Sequence, residues 1–218
     1  MGEDATAGGA CPLCGTGGQA LFAQVGARRY FRCTHCRLTF LDPRQLPSAA
    51  EERAEYALHR NAPDDPRYRR FLAQATDPLV ERLAPGAEGL DFGCGPGPAI
   101  PAMLGERGFA VRTYDPIFQP DESALARRYD FVTCTEVAEH FHRPDAGFAR
   151  LDALLRPGGW LALMTGVLYE DAEFPTWGYI RETSHVVFYR PETLAWIARR
   201  FAWDHEPVTK TVVLFRKR

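Results

Sequence analysis

GLDFGCGPGP, residues 89–98, sets four glycines and two prolines directly behind a short apolar segment. Glycines this dense let a backbone close in on a ligand. A dinucleotide fingerprint needs glycines at its first, third and sixth positions. Counted from Gly93, the sixth position is Pro98, so the match fails. A phosphate-binding P-loop ends in Gly-Lys-Ser/Thr, and no lysine stands here. Asp91 adds a physical objection, because a carboxylate at the mouth of the loop repels a pyrophosphate and favours an ammonium group.

The chain around the loop alternates. Short apolar runs at 89–92, FAVRTYD, YDFVTCTE and GGWLALMTG read as strands, and PAIPAMLGERG and DAGFARLDALLRPGG between them read as helices. Strands alternating with helices predict a parallel α/β sheet that binds its ligand at the strand C-termini. A nucleoside with a cationic amino-acid tail and no phosphates fits such a loop beside Asp91, and S-adenosylmethionine (AdoMet) is a ligand of that kind.

LDFGCGPG resembles the first motif of class I AdoMet-dependent methyltransferases. YDFVTCTEVAEHFHRP resembles their fourth-strand segment in an E-x-x-E-H variant, and LLRPGGWLALMTG resembles the start of their fifth strand. WGYIRETSHVVFYRPETL is similar to a stretch in one branch of that superfamily. The resemblance covers about residues 66 to 218. It implies an α/β fold with a seven-stranded, doubly wound, mostly parallel sheet whose last strand, TVVLFRKR, is antiparallel. It implies that Asp91, Gly93, Gly95 and Gly97 line the methionine part of AdoMet and that Asp115, ending the second strand, accepts the ribose hydroxyls. Glu136 is assigned to the cofactor as well. Only fourteen residues, Pro116 to Tyr129, stand where the family fits a helix, a strand and an adenine-binding acid. The core is therefore abbreviated between strands 2 and 4, with Asp121 or Ser123 as the remaining adenine contacts.

Methyl transfer requires alignment and, for some acceptors, a base. Glu136, Glu139, His140 and His142 follow the fourth strand at spacings of three and four, which share a helical face. His140 oriented by Glu139 is the expected base, and His185 is a second. The connection from Leu168 to Tyr189 is long and aromatic, as binding loops and lids are; Trp177, Tyr179 and Arg181 within it are the expected substrate contacts.

The other strong signal lies at the N-terminus. Cys11 and Cys14 form one C-x2-C pair and Cys33 and Cys36 another, with eighteen residues between the pairs. That spacing is a structural zinc site, the four thiolates completing a tetrahedron with no open position. LFAQ and RRYFRC between them read as a hairpin, the form of a zinc ribbon. About 35 residues bury too little apolar area to fold alone, and zinc adds roughly 10–16 kcal/mol of apparent binding free energy. Residues 11–45 also hold five arginines (28, 29, 32, 37 and 44) against one acid, Asp42. They form either a solvated face or a docking surface for an anion.

The expected domains are a zinc ribbon at 1–45, a linker and helical cap at 46–85, and an AdoMet-binding core at 86–218. In the cap, SAAEERAEYALHR reads as a helix capped by Ser48, and PRYRRFLAQATDPLVERLAPG as a helix interrupted near Asp77-Pro78. Composition places the chain among globular proteins, at 45% apolar and 25% charged with a net charge of −2. No signal peptide or membrane span is present in the sequence, so a cytoplasmic protein is expected. The functional reading is transfer of a methyl group to the oxygen, nitrogen or carbon of a small-molecule metabolite. An RNA-base methyltransferase using the ribbon on RNA is the alternative, and a non-enzymatic ribbon adaptor the second.

Overall fold

The computed structural model describes residues 9–58 and 62–218. The acidic start of the chain and the end of the helix expected through Arg60 lie outside them.

The ribbon begins with β1 (Ala20–Val25) and β2 (Arg28–Arg32), an antiparallel hairpin, and adds β3 (Thr39–Leu41) antiparallel to β2. Helix α1 (Ala49–Tyr56) starts at Ser48 through a capping box with Glu51, so two orphan helix-end donors are satisfied reciprocally. Helix α2 spans Pro66–Val80 without interruption, correcting the expected break at Pro78. Pro78 stands in the last turn, where a missing N–H removes a single hydrogen bond. Burial of Leu72, Ala75 and Leu79 holds the helix on the core through that turn.

The core then runs β4 (Glu88–Phe92), α3 (Ile100–Gly105), β5 (Ala110–Tyr114), the short α4 (Glu122–Leu125), β6 (Tyr129–Thr135), α5 (Pro144–Leu154) and β7 (Leu155–Met164). A long connection carries β8 (Val187–Phe188), and α6 (Pro191–Phe201), β9 (Trp203–Pro207) and β10 (Val212–Lys217) complete the chain. The strand order of the main sheet is β5-β4-β6-β7-β10-β9. The first four strands are parallel, and β10 lies antiparallel between β7 and β9, as expected for the terminal strand.

The sheet has six strands among the described residues, not seven. The absent strand is the one the abbreviated segment had no room for. Where the chain would have built it, Asp115 bridges Gln119 and α4 follows, leaving β5 as an edge.

Both faces of the sheet are covered. Val132, Leu161, Leu163, Val213 and Phe215 enter one apolar cluster with Phe148 of α5 and Ile197 of α6. Their chain neighbours Phe131, Ala162, Met164, Val212 and Leu214 enter the opposite cluster with α2 and α3. Successive strand residues point to opposite faces, and both sets are apolar, the signature of a doubly wound sheet.

The ribbon is fused to this core. β8 leaves the long connection to pair with β3, Thr39 opposite Phe188 and Phe40 opposite Val187, and so becomes the fourth strand of the ribbon sheet. Tyr30 packs edge-on to Phe174 at 4.9 Å, and Phe174 to Phe188 at 5.2 Å.

Candidate active site

The chain turns sharply at the C-terminal end of β4 because Gly93 and Gly95 both take left-handed φ angles, 76° and 64°. A Cβ on Gly93 would stand 2.4 Å from a methyl of Val137. The loop is stitched to the end of β5: the Gly93 and Cys94 amides donate to the Tyr114 carbonyl at 2.7 and 3.2 Å, and the Gly95 amide to the Asp115 carboxylate at 3.1 Å.

This loop forms one wall of a cavity of about 830 Å³. Asp91, Gly93, Gly95, Asp115, Glu136, His140 and His185 all face it. Helices α1 and α2 close the other side with Glu52, Tyr56, Tyr68 and Phe71. Of these, Tyr68 also packs against the apolar cluster of α2 and α3, and Phe71 is 41% exposed.

The acids on the wall differ in state. Asp91 is 3% exposed and accepts from the Thr133 hydroxyl at 2.8 Å. Burial, helped by nearby Asp115, pushes its carboxyl up to about 7. Asp115 accepts the Ile117 and Phe118 amides on one oxygen, at 2.8 and 2.9 Å, and Gly95 on the other. The second oxygen keeps a lone pair for one further donor. Glu136 takes a left-handed φ of 53°, and its N–H donates a hydrogen bond to the Met164 carbonyl at 2.8 Å. Burial, together with the neighbouring Glu139, raises its carboxyl to about 8.

Behind Glu136 lies a polar cluster. Glu139 is fully buried and outside the cavity lining; it accepts the Thr165 hydroxyl at 2.8 Å and the Tyr179 hydroxyl. Burial raises its carboxyl, with His185, Tyr179 and Thr165 opposing. The Tyr179 hydroxyl is also 3.3 Å from Glu136. The rings of His140 and His185 meet edge to face, centroids 4.8 Å apart. Each places Nδ1 on a backbone carbonyl, His140 on Ser184 at 3.1 Å and His185 on Tyr179 at 2.7 Å. In a neutral ring that puts the hydrogen on Nδ1 and leaves the lone pair on Nε2. Burial lowers the His185 pKa below the ordinary value, with Glu139 and Glu182 pulling the other way. His142 is held at 2.9 Å by Glu52 of α1.

The remaining expected contacts stand elsewhere. Gly97 is buried and off the cavity wall, and Tyr179 faces the wall from behind, through Glu136 and Glu139. Trp177 stacks on Tyr179 with centroids 5.0 Å apart, and Arg181 is exposed; neither lines the cavity. Asp121 caps α4 through the Ser123 amide at 3.0 Å, and Glu122, between those two, is the residue that faces the cavity. Glu52, Tyr56 and Glu182 are also wall residues that sequence reasoning missed. Only Glu182 left a local signal, standing three residues before His185.

The four N-terminal cysteines converge. Their sulfurs lie within 4.8 Å of one another, Cys11 to Cys36 at 3.6 Å and Cys14 to Cys33 at 3.4 Å. Zn–S bonds of ~2.3 Å in a tetrahedron separate sulfurs by about 3.8 Å, so the thiols suit a zinc ion. None of the four is in a disulfide, and the Cys36 amide donates to the Cys33 sulfur at 3.5 Å. The ribbon arginines are mostly committed within the protein. Arg28 donates to backbone carbonyls, Arg32 is buried against Thr39 and Asp171, and Arg44 and Arg29 both face Asp42, at 2.7 and 3.9 Å.

A parallel sheet in this order with its antiparallel strand next to the edge, a glycine turn after the first core strand and an acid after the second define the class I methyltransferase fold. A family model described as a methyltransferase domain matches residues 65–205, and the chain belongs to that family. An O-methyltransferase family protein from Burkholderia thailandensis is structurally similar at TM-score 0.53 and 17% identity, over 80% of this chain and 64% of that one. The 1,6-didemethyltoxoflavin-N1-methyltransferase of Burkholderia thailandensis, whose structure holds 1,6-didemethyltoxoflavin and S-adenosylhomocysteine, matches at 20% identity and TM-score 0.49, over 89% of this chain and 97% of that one. No curated protein matches the sequence. Among the described residues no helix is long and apolar enough to cross a membrane.

Proposed function

We propose that the chain transfers a methyl group from AdoMet to a small-molecule acceptor inside this cavity. The observation that carries the proposal is the cavity itself. The glycine turn, Asp91 and Asp115 stand on one side of a single space of about 830 Å³, and the His140–His185 pair stands on another. Ligand pockets run from roughly 300 to 1,000 Å³, so this one is large enough for a cofactor with its acceptor beside it.

When bound, AdoMet supplies a methyl group already activated on a sulfonium. Asp91, with Gly93 and Gly95, receives the amino-acid tail, and its carboxylate disfavours polyphosphates. Asp115 accepts a ribose hydroxyl on the oxygen that has only Gly95 for a partner. Glu136 faces the same space, and Gly97 supports the loop from within the core. His140 takes the acceptor's proton on Nε2, since the Ser184 carbonyl holds its Nδ1, and His185 stands beside it with its own Nε2 3.3 Å from Glu182. Glu139 keeps Tyr179 in place, the Tyr179 carbonyl holds His185, and Trp177 supports Tyr179 by stacking. Arg181, exposed and off the wall, has no role here.

Cys11, Cys14, Cys33 and Cys36 hold a structural zinc ion, four thiolates leaving no position open for chemistry. The proposed division remains a ribbon at 1–45, a cap at 46–85 and a core at 86–218, with Val187–Phe188 of the core lent to the ribbon sheet. A small-molecule acceptor is favoured over RNA because four of the five ribbon arginines bond to the protein's own carbonyls and carboxylates.

Calorimetry with S-adenosylhomocysteine (SAH), NAD and ATP tests the cofactor half, with SAH expected to bind and the other two not. Label transfer from AdoMet into metabolite extracts tests the rest. His140→Ala is expected to keep SAH binding and to lose most of the transfer, since a positioned base contributes about 10²–10⁴-fold. Tight uptake of NAD or ATP with silence toward SAH would overturn the reading.

A further inference from the structure

The segment from Gly178 to Val186 carries His185 and Glu182 to the cavity, yet it contributes no strand to either sheet. Irregular backbone this close to a core must find partners for its polar groups. Here one side chain of the ribbon supplies three of them. Arg28, at the turn of the β1–β2 hairpin, donates Nη1 to the Ile180 carbonyl at 3.5 Å and Nη2 to the carbonyls of Thr183 and His185 at 3.0 and 3.2 Å. The groups between and beyond are also assigned. The Ser184 carbonyl meets His140, the Val186 amide donates to the Glu139 carbonyl at 2.9 Å, and the Leu41 amide of β3 donates to the Val186 carbonyl at 2.8 Å. Residue 186 therefore lies between the ribbon and the turn that carries Glu139 and His140.

We propose that Arg28 is a positioning residue for the His140–His185 pair. Its guanidinium gathers three carbonyls of the 178–186 segment and sets where His185 stands against His140. This inference rests on the methyl-transfer reading of the cavity, but its geometry does not involve the cofactor. It also accounts for the basic ribbon differently from an anion-docking surface, because Arg28 is spent on backbone carbonyls. A planar, forked guanidinium spans three acceptors as a single ammonium does not.

The groups facing His185 are Glu139 and His140 from the turn after β6, and Glu182 and Tyr179 from its own segment. Burial, with His140, holds its pKa below the ordinary value against the opposing pull of Glu139 and Glu182, and the Tyr179 carbonyl takes its Nδ1 hydrogen. With Arg28 removed, the segment loosens and water reaches the ring. The His185 pKa then rises toward the ordinary range, and the tautomer preference fades.

The experiment is an NMR titration of ¹⁵N-histidine-labelled full-length protein, comparing wild type with Arg28→Ala and Arg28→Lys. Hydrogen exchange over residues 178–186 and SAH calorimetry accompany it. Arg28→Ala is expected to raise the His185 midpoint, mix its tautomers and speed exchange of the segment by about tenfold or more. Arg28→Lys is expected to fall between the two, and SAH affinity to stay within about twofold of wild type for both. Arg28→Lys keeps the charge and stem, and it carries the comparison if the alanine variant does not fold. A His185 titration and segment exchange that match wild type in a folded variant would overturn the inference. Wild-type protein that fails to bind SAH would overturn the methyl-transfer reading and leave the Arg28 result standing.

Discussion

The two sheets of this protein are held together by different means. The six-stranded sheet buries apolar side chains on both faces, Phe131 and Met164 toward one layer and Val132 and Leu163 toward the other. The four-stranded ribbon sheet has short strands, and at its head four thiols converge within 4.8 Å. The first closes on its own apolar layers; the second takes a strand from the long connection after β7 and gathers four thiols that are proposed to hold zinc. The ribbon's Tyr30, Phe31, Leu38 and Phe40 join the same apolar cluster as α5 and α6, and through β8 and Arg28 the ribbon touches the segment that carries His185.

Removing the proposed zinc is the largest way to break this comparison. Cys33→Ser, or exhaustive chelation, is expected to abolish a zinc affinity on the order of 10 kcal/mol and to release the ribbon. Exchange should then rise in β1–β3 and in residues 178–188 while β4, β6 and β7 stay protected. Hydrogen exchange with metal quantification reads both, and a ribbon that keeps its protection without metal would erase the distinction.

Next in size is Gly93→Ala. Its Cβ would meet Val137 at 2.4 Å on a backbone with φ of 76°, so a loss of about 1–3 kcal/mol in chemical denaturation is expected, with SAH binding lost as well. An alanine variant that binds SAH normally would show that the turn has slack.

The smallest effect concerns protons. Folding raises the carboxyls of Asp91 and Glu136 from ordinary values of 3.8 and 4.5 to about 7 and about 8. A raised folded pKa means the native state binds the proton more tightly. Their contribution to stability is therefore full below pH 3.8 and 4.5 and is lost as pH rises through about 7 and 8. A cationic ligand favours the ionised forms, so AdoMet binding near pH 7 should release part of a proton. Calorimetry in buffers of different ionisation enthalpy measures it, and Asp91→Asn should reduce the release and weaken binding by about tenfold, or 1.4 kcal/mol. Proton uptake on binding would contradict the assignment of Asp91.

Much of the fold was legible because its signals are local. Strand periodicity located β4 to β7, the C-x2-C pairs located the thiol cluster, and Ser48 announced α1. Fourteen residues after Asp115 warned of an abbreviated edge, and the sheet lost one strand there. Pro78 misled because a proline's cost depends on where it falls in the helix, and tertiary packing fixed that position. In the site, Asp91, Asp115, Glu136, His140 and His185 line one cavity, but Glu139 does not share that face and does not orient His140, because Glu136 is left-handed and only a short turn follows it. Trp177 and Arg181 do not, since a loop's composition says nothing about which side of it faces inward.

Sequence alone determined the two things that depend on neighbours along the chain: a glycine turn flanked by an acid at the end of a strand, and a pair of metal-type cysteine turns. Tertiary structure decided what depends on residues far apart, because those positions have no shared periodicity to read. It brought Glu52 and Tyr56 of α1 over the cavity, buried Glu139 behind it, and carried Arg28 across more than 150 residues of chain to the carbonyl of His185.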